Sequence, residues 1–283
     1  MIIEGLGEVD LGLYDRYSAH VDAVDRALRW LAEHQNAEGH WDGDPTREAC
    51  GTKLLDSAPE RKDAGQHAGR TGLALLAFLG AGYMIRGRHP FTTSVSCGLR
   101  YLKRVQRPSG CFGPDDGSMP VSIHAWAAWA MIEAYRLTGS PIFKGSSMRA
   151  LERLQATPLP PAEDMLALLP TALALHTARA INQDRRQRGK SAELAVRSSL
   201  LHDALLAARR VSSQRADGVA AAAFFVRTVL DEGEREAPDL VRGLRGLCAA
   251  IDARGAETDP VLAWCAGGAS HHAGGESFKR WTQ

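Results

Sequence analysis

The chain has 283 residues, 45% of them hydrophobic and 24% charged, which is ordinary composition for a soluble globular protein with a sizeable core. Lys and Arg total 34 against 33 Asp and Glu, and a net charge of +1 gives no field to steer nucleic acid or an anionic membrane. Five cysteines without a Cys-x-x-Cys pair argue against a disulfide framework or a structural zinc knuckle and predict reduced thiols.

In chain order, residues 1–20 read as an N-terminal extension, with no basic stretch leading into an apolar one, so a cytoplasmic location is expected. Residues 21–283 read as one helical domain. The longest apolar run, Gly72 to Ile85, has Arg86 directly behind it and falls short of the ~20 residues that span a bilayer, so no transmembrane segment is expected. Val24, Ala27, Leu28 and Leu31 recur at helical spacing and predict a helix with one buried face, which ends at Gly39-His-Trp41. The polar stretch Asp42 to Gly69 predicts a long loop. Thr71 to Tyr83 follows as a smoother, Ala- and Leu-rich helix suited to an inner layer.

The unit then repeats. Ala27 to Trp41 aligns without gaps on Gly98 to Phe112, sharing Leu, Arg, Leu, Gln and Gly and replacing aromatic by aromatic. Val95, Leu99, Leu102 and Val105 form the second buried face, and Leu31 and Leu102 are expected to be equivalent core residues. Val121 to Leu137 is the second inner helix. A third copy, Met148 to Gln155, keeps its helical half and loses the Gly-x-aromatic turn to Pro158, Pro160 and Pro161. The alternation continues over Leu166 to Ile181, Ala192 to Arg210, Val219 to Asp231, Asp239 to Asp252 and Pro260 to Ala273. Phe224 to Leu230 is strand-like alone, but Ala220 to Ala223 favour helix. The expected fold class is all-α, in two layers of helical hairpins.

Gly98-Leu99-x-Tyr101-Leu102-x-x-x-Gln106-x-x-x-Gly110-x-Phe112, and its first copy ending Gly39-His-Trp41, resemble the Gln-Trp repeat of squalene cyclases. The chain is similar to the squalene cyclase and prenyltransferase family, and to bacterial prenyltransferase/squalene-oxidase-repeat proteins in Trp30 to Gln35, Thr71 to Gly82 and the His271 to Gly275 segment with Lys279 to Trp281. The resemblance implies an α/α toroid: outer helices form a wall, the helices after each turn line a central cavity, and Trp41 and Phe112 pack over the turns. It also implies a further terminal hairpin that is absent before Gln283, so the ring is expected to be incomplete. The apolar residues of Pro260 to Ala273, namely Val261, Leu262, Trp264 and Cys265, are then expected at an edge that self-associates or docks a partner, unless Leu11 to His20 covers it.

The family's chemistry is missing. No Asp-x-Asp-Asp acid motif occurs, and Asp42-Gly-Asp44 and Asp115-Asp116 fall in loops. The turn Ser109-Gly110-Cys111 lacks the carboxylate of the family's zinc motif, and Cys111 with His124 is too few ligands for catalytic zinc. No catalytic residue, metal or cofactor is therefore assigned. What remains is a polar rim expected at one mouth of the cavity: His67, Arg70, Thr71, Asp115, Asp116, Ser122 and above all His124, whose pKa a nearby carboxylate would raise, with Trp126 and Trp129 behind it. Thr71 and Ser122 also suit helix caps. Two functions follow: a noncatalytic scaffold or binding protein holding an apolar, isoprenoid-like molecule or a partner polypeptide, or an isoprenoid enzyme whose acid or metal is assembled from unmatched positions. An open, aromatic-lined cavity would separate the second from a scaffold with a filled centre.

Overall fold

Ala-rich, apolar segments alternating with segments that carry one apolar face fold as two layers of helices. The computed structural model describes residues 23–42, 64–85, 87–115, 119–212, 214–254 and 260–273. The helices are α1 (23–33), α2 (Ala64–Gly80), α3 (Thr92–Val105), α4 (Val121–Thr138), α5 (Pro141–Ala156), α6 (Met165–Gln187), α7 (Ser198–Arg209), α8 (Gly218–Leu230), α9 (Pro238–Arg254) and α10 (Pro260–Ala273), with a 3-10 turn at Glu232–Glu236. Among the described residues no strand forms, and no helix is long and apolar enough to cross a membrane.

The even-numbered helices form one continuous row, α2 against α4, α4 against α6, α6 against α8 and α8 against α10, while α3, α5, α7 and α9 pack behind it. Small residues let the row close up. A Cβ on Gly72 would lie 2.6 Å from the α4 backbone at Trp126 and Ala127, and one on Gly69 would lie 2.9 Å from Ile123. Ala127, Ala128 and Ala220 to Ala223 are fully buried in the same row. The core runs as two clusters joined through α6, which gives Ala174, Leu175 and Ala178 to the first and Leu168, Leu169 and Ala172 to the second. Trp129 and Leu230 pack against both.

The repeat has a structural counterpart at its glutamine, glycine and aromatic positions. Gln35 is buried, and its Nε2 donates to the carbonyls of Gly39 (2.8 Å) and Ser94 (2.9 Å). Gln106 does the same for Gly110 (3.2 Å) and Ser146 (2.9 Å). Each glutamine therefore closes its own turn and staples it to the following outer helix. Gly39 and Gly110 have φ of +89° and +88°, a region L-residues avoid, and their missing side chains allow contact with the backbone of Cys97 and Arg149. Trp41 and Phe112 are both buried over these turns. In the third copy Gln155 keeps the role without the glycine: Nε2 donates to the Ala195 carbonyl (2.8 Å) and Oε1 accepts from the Arg197 N–H (2.7 Å).

Several expectations need correction. The segment 192–197 is not helical, because Gln155 and Asn182 satisfy its backbone: Asn182 Oδ1 accepts from the N–H groups of Glu193 (2.9 Å) and Leu194 (3.1 Å). Helix α2 starts at Ala64, so Thr71 is an interior residue whose hydroxyl accepts the Trp41 N–H at 3.2 Å rather than a cap. Pro120 occupies the N-cap of α4, leaving Ser122 inside the helix. Leu102 is fully buried, but Leu31 is only partly buried and faces the cavity. Cys97 is disulfide-bonded, against the expectation of reduced thiols, while Cys111 is a buried thiol; counting cysteines gives no information on which of them meet in space.

A candidate apolar cavity between the inner helices

The lining of the cavity follows a rule of spacing. Arg70, Leu73, Ala77 and Gly80 on α2 recur at intervals of three, four and three residues, as do Trp126, Trp129, Glu133 and Arg136 on α4. On α6 the stripe is Leu166, Leu169, Leu173, His176 and Ala180. This is the spacing of one helix face, so each inner helix turns a single stripe toward a common space. Phe225 and Val229 of α8, Trp264 of α10 and Trp30, Leu31 and His34 of α1 also line it, and the space measures about 1280 Å³. That exceeds the roughly 300–1,000 Å³ of pockets for drug-sized ligands.

The wall is apolar and aromatic. Trp126 stands 5.8 Å from Trp129 and 5.7 Å from Trp264 between ring centroids, and Phe225 meets Trp264 edge-on at 5.5 Å. The Trp126–Trp264 contact joins α4 to α10 across the space. Among the described residues seven large apolar side chains stay exposed, and four of them, Trp30 (55%), Leu73 (48%), Leu166 (39%) and Trp264 (42%), line this cavity. Trp41 lines it as well while its Nε1 donates to the Leu31 carbonyl at 2.8 Å, so this ring serves turn and cavity together. Polar groups on the wall are largely engaged. Trp129 Nε1 donates to Thr177 Oγ1 (3.1 Å), Arg136 grips Glu133 through two bonds (2.9 and 2.5 Å), and His34 Nδ1 meets the Trp30 carbonyl at 2.7 Å.

Of the residues expected at the mouth, Arg70, Trp126 and Trp129 line the cavity, and the others that the structure describes go elsewhere. His124 is 3% exposed and wedged between α4 and α5, where Nε2 donates to the Ala150 carbonyl (3.2 Å) and Nδ1 has no partner. Burial in this apolar setting pushes its pKa down from 6.5 to about 4, the reverse of the expected direction, with the Ala150 hydrogen bond opposing the shift and Arg153 adding a repulsive charge. His67 stacks on His40 at 4.4 Å, and Asp115 is exposed and accepts from the Ser109 hydroxyl (2.6 Å). Asp116 lies outside the described residues, as do Leu11 to His20 and the Lys279 to Trp281 segment. Leu262 and Cys265, expected at an apolar edge, are buried, and Trp264 turns to the cavity.

Trp30, His34, Glu133, Arg136, His176 and Trp264 are lining residues that the sequence reading did not place at the cavity. Counting three and four residues onward from Trp126 would have found Glu133 and Arg136, whereas Trp30 sits on an outer-layer helix and carries no such signal. The described residues include no group of three His, Cys, Asp or Glu side chains placed to hold a metal ion. Comparison with family models, with curated proteins and with solved structures returned no match.

Proposed function

We propose that this protein is a noncatalytic binding protein that holds an elongated, isoprenoid-like molecule in the space between its inner helices, which form a toroid of the squalene cyclase type. The observation that carries the reading is the set of four large apolar side chains left exposed toward one cavity. Full exposure of such a side chain forgoes roughly 1.5–3 kcal/mol of burial, so a ligand covering even parts of Trp30, Leu73, Leu166 and Trp264 gains several kcal/mol. The toroid assignment is supported by the alternating layers and by the two glutamine-glycine-aromatic turns that resemble the family's repeat. A partner polypeptide suits the cavity less well, because extended backbone would need hydrogen-bonding groups that a wall of tryptophan and leucine does not offer.

The enzyme reading keeps one observation in its favour. Trp126, Trp129, Trp264 and Phe225 form an aromatic surface of the kind that stabilises a carbocation through its ring faces. Against it, Glu133 is the one carboxylate among the described lining residues, and its two oxygens are occupied by Arg136. That carboxylate is committed to a guanidinium rather than presented to a ligand.

Titration with farnesol, followed by tryptophan fluorescence, tests both readings. Saturable quenching that Leu73→Asp abolishes without lowering the melting temperature supports a cavity ligand. Absence of any response in the parent removes the proposal. Recovery of farnesol unchanged after prolonged incubation supports binding, and its conversion to cyclised or rearranged products replaces binding with catalysis.

A further inference from the structure

Resting on the cavity reading, the charges of the wall add a direction and a head group. Arg136 is neutralised by Glu133 at one end of the space. Arg70 stands near the other end, on the stretch of α2 between Gly69, packed on Ile123, and Gly72, packed on the backbone of Trp126 and Ala127. Its guanidinium donates to the Asp42 main-chain carbonyl at 2.5 Å, and among the described residues no carboxylate meets its charge. The nearby Asp42 carboxylate is turned to Asn36, whose Nδ2 donates to it at 3.2 Å. Among the described lining residues, Arg70 is thus the cation left with donors for something else.

The geometry points to an amphipathic ligand: an isoprenoid-like chain carrying a single carboxylate, its head on Arg70 and its tail running along α2 and α4 toward Gly80 and Arg136. Length and charge both fit. From Arg70 to Gly80 the helix rises about 15 Å at ~1.5 Å per residue, close to an extended chain of about a dozen carbons with bonds near 1.5 Å. One guanidinium matches one negative charge and can grip a carboxylate through two parallel bonds. A diphosphate would bring several charges into an apolar space against a single cation, leaving the rest uncompensated. The paired, neutral far end suits an uncharged tail.

Farnesoic acid and farnesol share a chain and differ in the head, so they separate this inference from the cavity reading. At pH 8 the parent protein is expected to bind farnesoate on the order of tenfold more tightly than farnesol, the contribution of one charge-assisted contact at a partly exposed site. Arg70→Met should bring farnesoate down to the affinity of farnesol and leave farnesol unchanged, and Arg70→Lys should recover part of the difference. Equal binding of the two probes by the parent, or an equal loss of both in Arg70→Met, overturns the head assignment while the cavity reading stands. If neither probe binds the parent, the cavity reading fails and the head assignment with it. Arg70 is exposed and makes one main-chain contact, so an unchanged melting temperature is the expected control for both variants.

Discussion

Replacing Gly110 by Ala tests the repeat turn at its tightest point. The residue has φ of +88°, where an L side chain costs about 1–2 kcal/mol. The new Cβ would also lie 2.1 Å from the Arg149 carbonyl oxygen, far inside the ~3.5 Å of ordinary contact. Neither backbone can yield cheaply, so α5 must retreat. Overpacking of this kind costs roughly 1–3 kcal/mol, and the retreat stretches the bonds of Gln106 to the Ser146 carbonyl and hydroxyl, each worth about 0.5–1.5 kcal/mol. The expected loss is about 3–6 kcal/mol, a large part of the roughly 5–15 kcal/mol of a typical fold. Gly139→Ala is the control: φ is +59° and nothing lies within 4 Å of the added Cβ, so about 1 kcal/mol is expected. Gly39→Ala, with its Cβ 2.7 Å from the Cys97 carbonyl, should fall between the two. Urea unfolding of the three variants, extrapolated to water, measures the differences. Should Gly110→Ala and Gly139→Ala lose the same stability, the turn is not the clamp between outer helices described above.

Other consequences separate core from cavity and neutral from charged histidine. Leu102→Ala should cost about 2–5 kcal/mol through lost burial and a residual void, whereas Leu31→Ala, at the cavity wall, should cost well under half of that in the same urea experiment. His124 is held neutral in the native state, so the unfolded chain takes up a proton first as pH falls. Its contribution to stability is complete above pH 6.5 and declines by up to ~1.4 kcal/mol per pH unit toward pH 4. His124→Gln should remove that slope from the pH dependence of unfolding, and an unaltered slope would place the titration elsewhere. Gln155→Ala should release the segment 192–197, seen as faster amide hydrogen exchange at Arg197, whose N–H donates to Gln155, with little change in α4.

The sequence was most readable where structure is local. A positive φ asks for glycine, a buried turn asks for a side-chain amide, and both demands left Gln35, Gly39, Gln106 and Gly110 in register. Helix boundaries failed where long-range side chains decided them: Asn182 and Gln155 hold residues 192–197 extended, and nothing within that segment announces it. The site was half readable. Arg70, Trp126 and Trp129 were chosen for lying on inner helices, and His124 was misplaced for the same reason. At about 100° per residue it points some 200° away from Trp126, toward α5. Inner helices that are apolar nearly all round give no contrast by which hydrophobic periodicity could mark the stripe facing the cavity.

That missing contrast also explains why the cavity persists instead of collapsing. Two kinds of apolar residue are mixed in each inner helix, and their sizes separate their roles. Gly69 and Gly72 on α2 meet α4 at backbone distance, and a Cβ on Gly268 of α10 would lie 2.5 Å from the Phe225 ring on α8. Contacts so close leave the row no room to rotate, because turning a helix would press Leu73 or Trp126 into a seam that admits only hydrogen or methyl. The large side chains are therefore held on the inner stripe although water would drive them into a core. Closing the space would need the inner helices to separate first, at the loss of their fully packed alanine seams. The small residues of α2, α4 and α8, which read as featureless helix formers in the sequence, are in this sense what keeps the tryptophans available to a ligand.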